Sequence, residues 1–306
     1  MFLSKGEVRS REIEVPNPGR SEILIETKAC GICMGDVYVY EGKLQSEGAM
    51  GHEGAGVVAK VGEGVGNLKC GDKVTALGGP AFAEFYLTDC RNAAKIPDDV
   101  EDFAPWISEP LACAVNGIRG SGIQIGDGVC IIGCGYMGLL LIQAMPRNVG
   151  NLVALDIRDE RLALARKFGA DFALNPARAD AVEEVRNLLG GEADVVIEAS
   201  GARGTLELAT DLARPGGKVA IFGRHVADEV VPTEKWHGKG LRLLNTAPAF
   251  SPDFNRDFRD AVRLLEKGVF DQKPLITHRF PNEDAEKAFK IASERRADYI
   301  KGVITF

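Results

Sequence analysis

The sequence predicts a mixed α/β protein in which a β-rich segment surrounds an inserted unit built on a doubly wound parallel sheet. Two observations carry this. Up to Glu109, short alternating runs such as EILIETKA and GVVAKVG are separated by Gly, Pro and Asn turn signals. Beyond Cys113, strand-like and helix-like stretches alternate: VCIIG, a helical run from Met137 to Met145, LVALD, DERLALARKFGA, DVVIEAS, GTLELATDLA and KVAIFG. Strands separated by helices of this length form βαβ units, and the crossover makes their strands parallel. The unit ends near LRLLNTA. The tail then adds two amphipathic helices, FRDAVRLLEKG and DAEKAFKIASER, and a closing strand, KGVITF. The expected division is a split domain at 1–113 and 248–306 around an inserted domain at 114–247.

At 306 residues the chain has room for two cores. The 44 acidic against 37 basic residues, a net charge of −7, argue against a nucleic-acid partner. No apolar run is long enough to span a bilayer, which argues against a membrane partner. The opening MFLSKGEVRSREIEV carries charges where a signal peptide needs an apolar stretch, so a cytoplasmic location is expected. The seven cysteines are odd in number and scattered, which fits buried thiols, a metal ligand or a nucleophile better than a disulfide framework.

Gly133-Cys134-Gly135-Tyr136-Met137-Gly138 is a G-x-G-x-x-G placed between a strand and a helix. Its first two glycines allow a tight turn and close approach to a pyrophosphate, the helix N-terminus offers free N–H groups, and the third glycine lets helix pack on strand. Asp156 closes the next strand 18 residues after Gly138, where a carboxylate accepts the ribose hydroxyls of NAD. Arg158 lies two residues on, where an arginine can meet a 2′-phosphate instead. The context makes this a Rossmann dinucleotide site.

In the β-rich segment, Cys33 in ACGICMGD, His52 and Glu53 in GHEGAGVV, and Glu109 in SEPLACAVNG are candidate metal ligands. Cys30 and Cys33 form a single C-x-x-C with no second pair, so a closed four-cysteine site is unavailable. A mixed thiolate, imidazole and carboxylate site remains, beside a purely structural role for His52.

GHEGAGVVAKVGEGVGNLKCGDKV resembles the zinc signature of the medium-chain dehydrogenase/reductase superfamily, with GIC, EPLA, the Rossmann motif and the tail HRFPNEDAEKAF…KGVITF in matching order. The resemblance spans essentially the whole chain and implies a GroES-like catalytic domain plus a Rossmann domain. The glutamate of EPLA is similar to the sorbitol and threonine dehydrogenase branch. By that resemblance Cys33, His52 and Glu109 are zinc ligands and Glu53 is an exchangeable residue beside the metal. Asp36 orients His52, and Cys30 is buried packing. One zinc per subunit and NAD are the implied cofactors. The implied reaction passes hydride between NAD(H) and a polar secondary alcohol or ketone such as a polyol, sugar, cyclitol or hydroxy amino acid. Relatives pair Rossmann sheets edge to edge, so a homodimer or homotetramer through LRLLNTA is expected.

Three departures from the family stand out. The cysteine-rich structural-zinc lobe is absent, since GDKVTALGGPAFAEFYLTD runs from strand to strand. The opening strand is shortened. In Cys33-Met34-Gly35-Asp36 a glycine replaces the Ser or Thr that passes the substrate proton outward, and Tyr38 is the nearest substitute in sequence. Trp106, Tyr38, His225 and His237 are candidate pocket residues. Two alternatives remain: a zinc-free NADPH-dependent quinone or enone reductase, which leaves Cys33, His52 and Glu109 unused, and a non-catalytic cofactor-binding protein, which is consistent with Gly35.

Overall fold

A computed structural model of the chain describes residues 1–46, 48–178 and 180–306. They form two compact units, one of Met1–Ala112 with Phe258–Phe306 and one of Cys113–Asp257. The chain leaves the second unit ten residues beyond the expected 248. The reason is local bonding. Asn116 Nδ2 donates to Thr246 O at 2.9 Å, Arg119 pairs with Asp257, and Ser251 Oγ donates to Asp257 at 2.6 Å, so residues 246–257 are tied to the start of the second unit. Among the described residues no helix is long and apolar enough to cross a membrane.

The first unit is organised by a seven-stranded sheet in the order Ile276–Pro281, Lys301–Thr305, Glu22–Gly31, Glu53–Val61, Lys73–Leu77 and Ala93–Lys95, with Phe85–Asp89 also pairing Glu22–Gly31. The alternating run EILIETKA puts Ile23 and Ile25 into a core shared with Val58, Val74, Phe82 and Phe289. Each such side chain contributes about 1.5–3 kcal/mol on burial. The register decides where the chemistry falls. Glu22–Gly31 runs antiparallel to all three strands it pairs, with Cys30 opposite Gly54 on one side and Ile304 on the other. The last residues of this strand, the first residues of Glu53–Val61 and the start of Lys301–Thr305 therefore meet at one end of the sheet.

The second unit is a six-stranded parallel sheet in the order Phe172–Leu174, Leu152–Leu155, Val129–Ile132, Ala193–Glu198, Ala213–Ile221 and Arg242–Asn245. Val129–Ile132 and Leu152–Leu155 are buried throughout, as strands covered on both faces must be. The strand order reverses between Val129–Ile132 and Ala193–Glu198, which is the switch point where such sheets bind ligands. Strand Phe172–Leu174 and helix Ala181–Leu189 were not expected from the sequence. Three residues are too few for alternation to show, and the helix is amphipathic with only Ala181 and Val185 fully buried. Strand Ile276–Pro281 and the seven-residue helix Met34–Tyr40 were unforeseen for the same reason of length.

Candidate functional site

Cys33, His52 and Glu53 each present a ligand atom within 4.8 Å of the others, the one such group of three or more His, Cys, Asp or Glu residues among those described. Cys33 is the N-cap of helix Met34–Tyr40, and its sulfur accepts from Gly35 N at 3.4 Å. Asp36, in the first turn of that helix, accepts from Cys33 N through Oδ2 at 3.0 Å and turns Oδ1 towards His52 Nδ1 at 3.7 Å. One buried carboxylate thus bonds the Cys33 segment and faces the imidazole Nδ1 within ion-pair distance, on the side away from Nε2.

Glu53 begins its strand with only 2% exposure. Lys301, 4% exposed, donates to Glu53 Oε1 at 2.8 Å and to Ile32 O at 3.0 Å. A buried carboxylate without its cation costs about 3–5 kcal/mol, so Lys301 is what permits Glu53 to stand here. Space is also reserved for it. A Cβ on Gly31 would lie 2.0 Å from Glu53 Oε2 and 2.7 Å from Ile107, so only glycine fits at that strand end.

Charge in the cluster is strongly coupled. Burial works against a charged His52, but a hydrogen bond to Cys33 and the charges of Cys33, Glu109 and Asp36 outweigh it and raise the imidazole to about 10. Burial pushes the Asp36 carboxyl up to about 6 against the pull of His52, with Glu53 adding to the rise. A sulfur, an imidazole nitrogen and a carboxyl oxygen converge here, and that donor set suits zinc.

Glu109 opens helix Glu109–Ser121 and is near enough to act on His52, but it is not one of the three groups in the tight triangle. Glu53 holds that place. The segment before Glu109 is nonetheless fixed to the His52–Glu53 strand: Ser108 N donates to Thr75 Oγ1 at 3.2 Å, and Thr75 Oγ1 donates to Gly54 O at 3.3 Å. Buried Gln272 clamps the same segment by donating to Pro105 O at 2.7 Å and Ile107 O at 3.0 Å.

In the second unit the turn Gly133-Cys134-Gly135 joins Val129–Ile132 to helix Tyr136–Ala144, with Gly135 as N-cap. Gly133 has φ +98°, and a Cβ on Gly138 would lie 1.9 Å from Gly133 O. A Cβ on Gly135 would meet nothing within 4 Å. The first and last glycines are thus required by the protein, and the middle one leaves open room of the kind a pyrophosphate needs. Tyr136 and Met137 form the first turn of the helix. Asp156 Oδ2 accepts from Cys134 N at 2.7 Å and Oδ1 from Arg158 N at 2.9 Å, so the acid ties the glycine turn to the end of Leu152–Leu155. Each oxygen keeps a second acceptor site for a ribose hydroxyl.

Residues 19–98 match the alcohol dehydrogenase GroES-like domain and residues 137–267 the zinc-binding dehydrogenase family. The L-threonine 3-dehydrogenase of Bacillus velezensis is 30% identical over 92% of this chain and 91% of its own length. The chain belongs to the zinc-binding alcohol dehydrogenase family. The sorbitol dehydrogenase of Ovis aries is 27% identical over 94% of this chain and 91% of its own. Among solved structures, a zinc-binding dehydrogenase from Sinorhizobium meliloti 1021 bound to NADP is 26% identical at a TM-score of 0.86, covering 99% of this chain and 97% of that one. A short-chain alcohol dehydrogenase from Escherichia coli CFT073 complexed with NADH is also 26% identical, at a TM-score of 0.87 and the same coverage. The fold is the GroES-like domain with a Rossmann sheet that this zinc-binding dehydrogenase family shares.

Within that family frame, Lys301, Tyr299 and Arg161 are the residues that sequence reasoning passed over. Burial pushes the Tyr299 hydroxyl up to about 12, with Lys301 lowering it and Glu53 and Cys33 adding to the rise, so it stands beside the cluster. Arg161 is 4% exposed, its pKa lowered by burial and by Arg158 while Asp156 raises it, which places it near Asp156. Tyr38 lies between Lys43 and Arg295, whose cations sit 5.6 and 5.8 Å from its ring. Trp106 packs in a small cluster with Ile107 and Ile276, His237 is exposed near the end of its helix, and His225 sits between two carboxylates.

Proposed function

We propose that this zinc-dependent alcohol dehydrogenase oxidises a polar secondary alcohol of the polyol or hydroxy-acid kind to its ketone, with NAD preferred over NADP. One observation carries the reading: Cys33, His52 and Glu53 converge within 4.8 Å, with Asp36 behind the imidazole and Lys301 behind the carboxylate. In this reading Cys33 and His52 hold zinc with a carboxylate as third ligand, Glu53 and Glu109 being the two available. Bound there, zinc would supply Lewis acidity towards the substrate oxygen, while the nicotinamide would supply the hydride acceptor. The chain's own residues set the rest. Gly35 N–H supports the Cys33 sulfur, Asp36 faces the imidazole, and Lys301 holds the buried Glu53 side chain in place. The threonine and sorbitol dehydrogenases among the relatives support a polar hydroxylated substrate.

The cofactor preference rests on Asp156. A 2′-phosphate would place a dianion beside that carboxylate and displace the ribose hydroxyl bonds. Arg158, whose N–H bonds Asp156, and Arg161, which interacts with both, act against this. Turnover of a polyol and hydroxy-acid panel should give higher catalytic efficiency with NAD than with NADP, and Asp156→Ser should narrow the gap by weakening NAD. Higher efficiency with NADP would refute the role given to Asp156. No turnover of any substrate would refute the activity.

Gly35 carries no hydroxyl for the substrate proton. A Cβ there would meet only Cys33 Sγ, at 3.7 Å, so a serine fits without strain. Gly35→Ser is expected to raise kcat by about 10²-fold, the gain typical of a positioned proton-transfer group. An unchanged or lower kcat would show that another path already carries the proton.

Strand Arg242–Asn245 is the edge of the second sheet, and three of its four residues are exposed. We assign it to pairing between copies of the chain, as a homodimer or homotetramer. Light scattering at micromolar concentration should give at least twice the monomer mass. A monomer would exclude this role for the edge.

A further inference from the structure

The second unit contains a buried acid that neither the metal site nor the glycine turn uses. Glu198 ends the central strand Ala193–Glu198 and is fully buried. Its Oε1 accepts from Ser200 N at 2.9 Å, Gly201 N at 3.0 Å, Ser200 Oγ at 2.5 Å and Thr205 Oγ1 at 2.9 Å. Its Oε2 faces His225 Nε2 at 3.0 Å. The other ring nitrogen, Nδ1, lies 2.9 Å from Glu229 Oε1, and Glu229 Oε2 accepts from Gly204 N at 3.0 Å. The imidazole is held between two carboxylates, one at the end of the central strand and one bonded to the N-cap of helix Thr205–Leu212.

This bracket fixes a segment that packing does not. Residues 222–231 follow strand Ala213–Ile221 and, through His225, Val226, Glu229 and Val231, form much of the wall of an open cleft of about 510 Å3 that Leu206 and Ile221 also line. Val230 is 99% exposed. A segment that walls an open cleft has core contacts on one side only, and so fewer dispersion contacts to hold it. Its first residues press against the switch point, for a Cβ on Gly223 would lie 2.4 Å from Gly201 N and 2.5 Å from Glu198 Oε2.

A Rossmann sheet is two mononucleotide-binding halves that meet at the switch point. Here Gly133 and Asp156 belong to the half holding the adenosine and pyrophosphate. The strands Ala193–Glu198, Ala213–Ile221 and Arg242–Asn245 form the other half, and residues 222–231 lie at their carboxyl ends. We propose that His225, bracketed by Glu198 and Glu229, is a positioning residue for the nicotinamide half of the dinucleotide. It holds residues 222–231 at the carboxyl ends of those strands without itself being part of the chemistry. The inference rests on the dinucleotide reading of the second unit.

The test compares two ligands that differ only in the nicotinamide ring, since ADP-ribose keeps the adenosine, the pyrophosphate and the second ribose. Binding of NADH and of ADP-ribose is titrated on the whole protein and on two variants. His225→Ala should weaken NADH about tenfold, the loss expected for a charge-assisted pair, and leave ADP-ribose unchanged. His225→Gln, whose amide can still donate to Glu198, should recover part of that loss, and this variant carries the test if the alanine form does not fold. Equal weakening of both ligands would show a merely structural role and overturn the proposal, as would NADH binding that does not change. Failure of ADP-ribose to bind the unaltered protein would overturn the dinucleotide reading itself.

Discussion

The carboxylate of Glu53 is buried where three strand ends meet, and the ammonium of Lys301 makes that burial tolerable. Much of the first unit can be understood from this pair. The antiparallel register brings the ends of Glu22–Gly31, Glu53–Val61 and Lys301–Thr305 together. Gly31 gives up a side chain so that the carboxylate has room. Cys33, just past one strand end, and His52, just before another, are brought beside it. A buried ion pair rarely adds net stability, because desolvating both ions roughly cancels their attraction. Its value here is placement: the Glu53 side chain is held at a fixed point, next to the Cys33 sulfur and the His52 imidazole, in the arrangement a metal cation requires.

The second unit uses acids in a related way, with hydrogen bonds doing what the ammonium does in the first. Asp156 accepts backbone N–H groups from Cys134 and Arg158, and so sets the glycine turn against the end of the neighbouring strand. Glu198 gathers Ser200, Gly201 and Thr205 on one oxygen and His225 on the other. Both acids stand at carboxyl ends of parallel strands, where a dinucleotide lies across the sheet. Carboxylates surrounded by donors of fixed direction hold loops more stiffly than apolar packing over a cavity could.

Much of this was legible in the sequence, and the limits have physical causes. The glycine turn was readable because its requirements are local: a strand, a tight turn, a helix and an acid after the next strand. Cys33 and His52 were singled out together, with Glu109 as third ligand, only through resemblance, since their segments are far apart along the chain; the group found among the described residues has Glu53 in that third place. Lys301 was hidden because its partner lies 248 residues away and a lysine opening the run KGVITF reads as an edge residue facing water. The order of Glu53 and Glu109 at the cluster was also out of reach, because it depends on the side-chain space left by Gly31. His225 was taken as a pocket residue, and the two carboxylates that bracket it come from a strand end and a loop whose approach no periodicity reveals.

X-ray absorption at the zinc edge, with metal content measured on the same purified protein, tests the account most directly. Cys33 is the only cysteine in the cluster; Cys30 is fully buried in the core, and the run from Lys73 to Asp89 contains no cysteine. The account predicts about one zinc per subunit, bound by a single sulfur at about 2.3 Å with nitrogen and oxygen at about 2.0–2.2 Å. Two or more sulfurs per zinc, or no zinc after expression in zinc-supplemented medium, would contradict it.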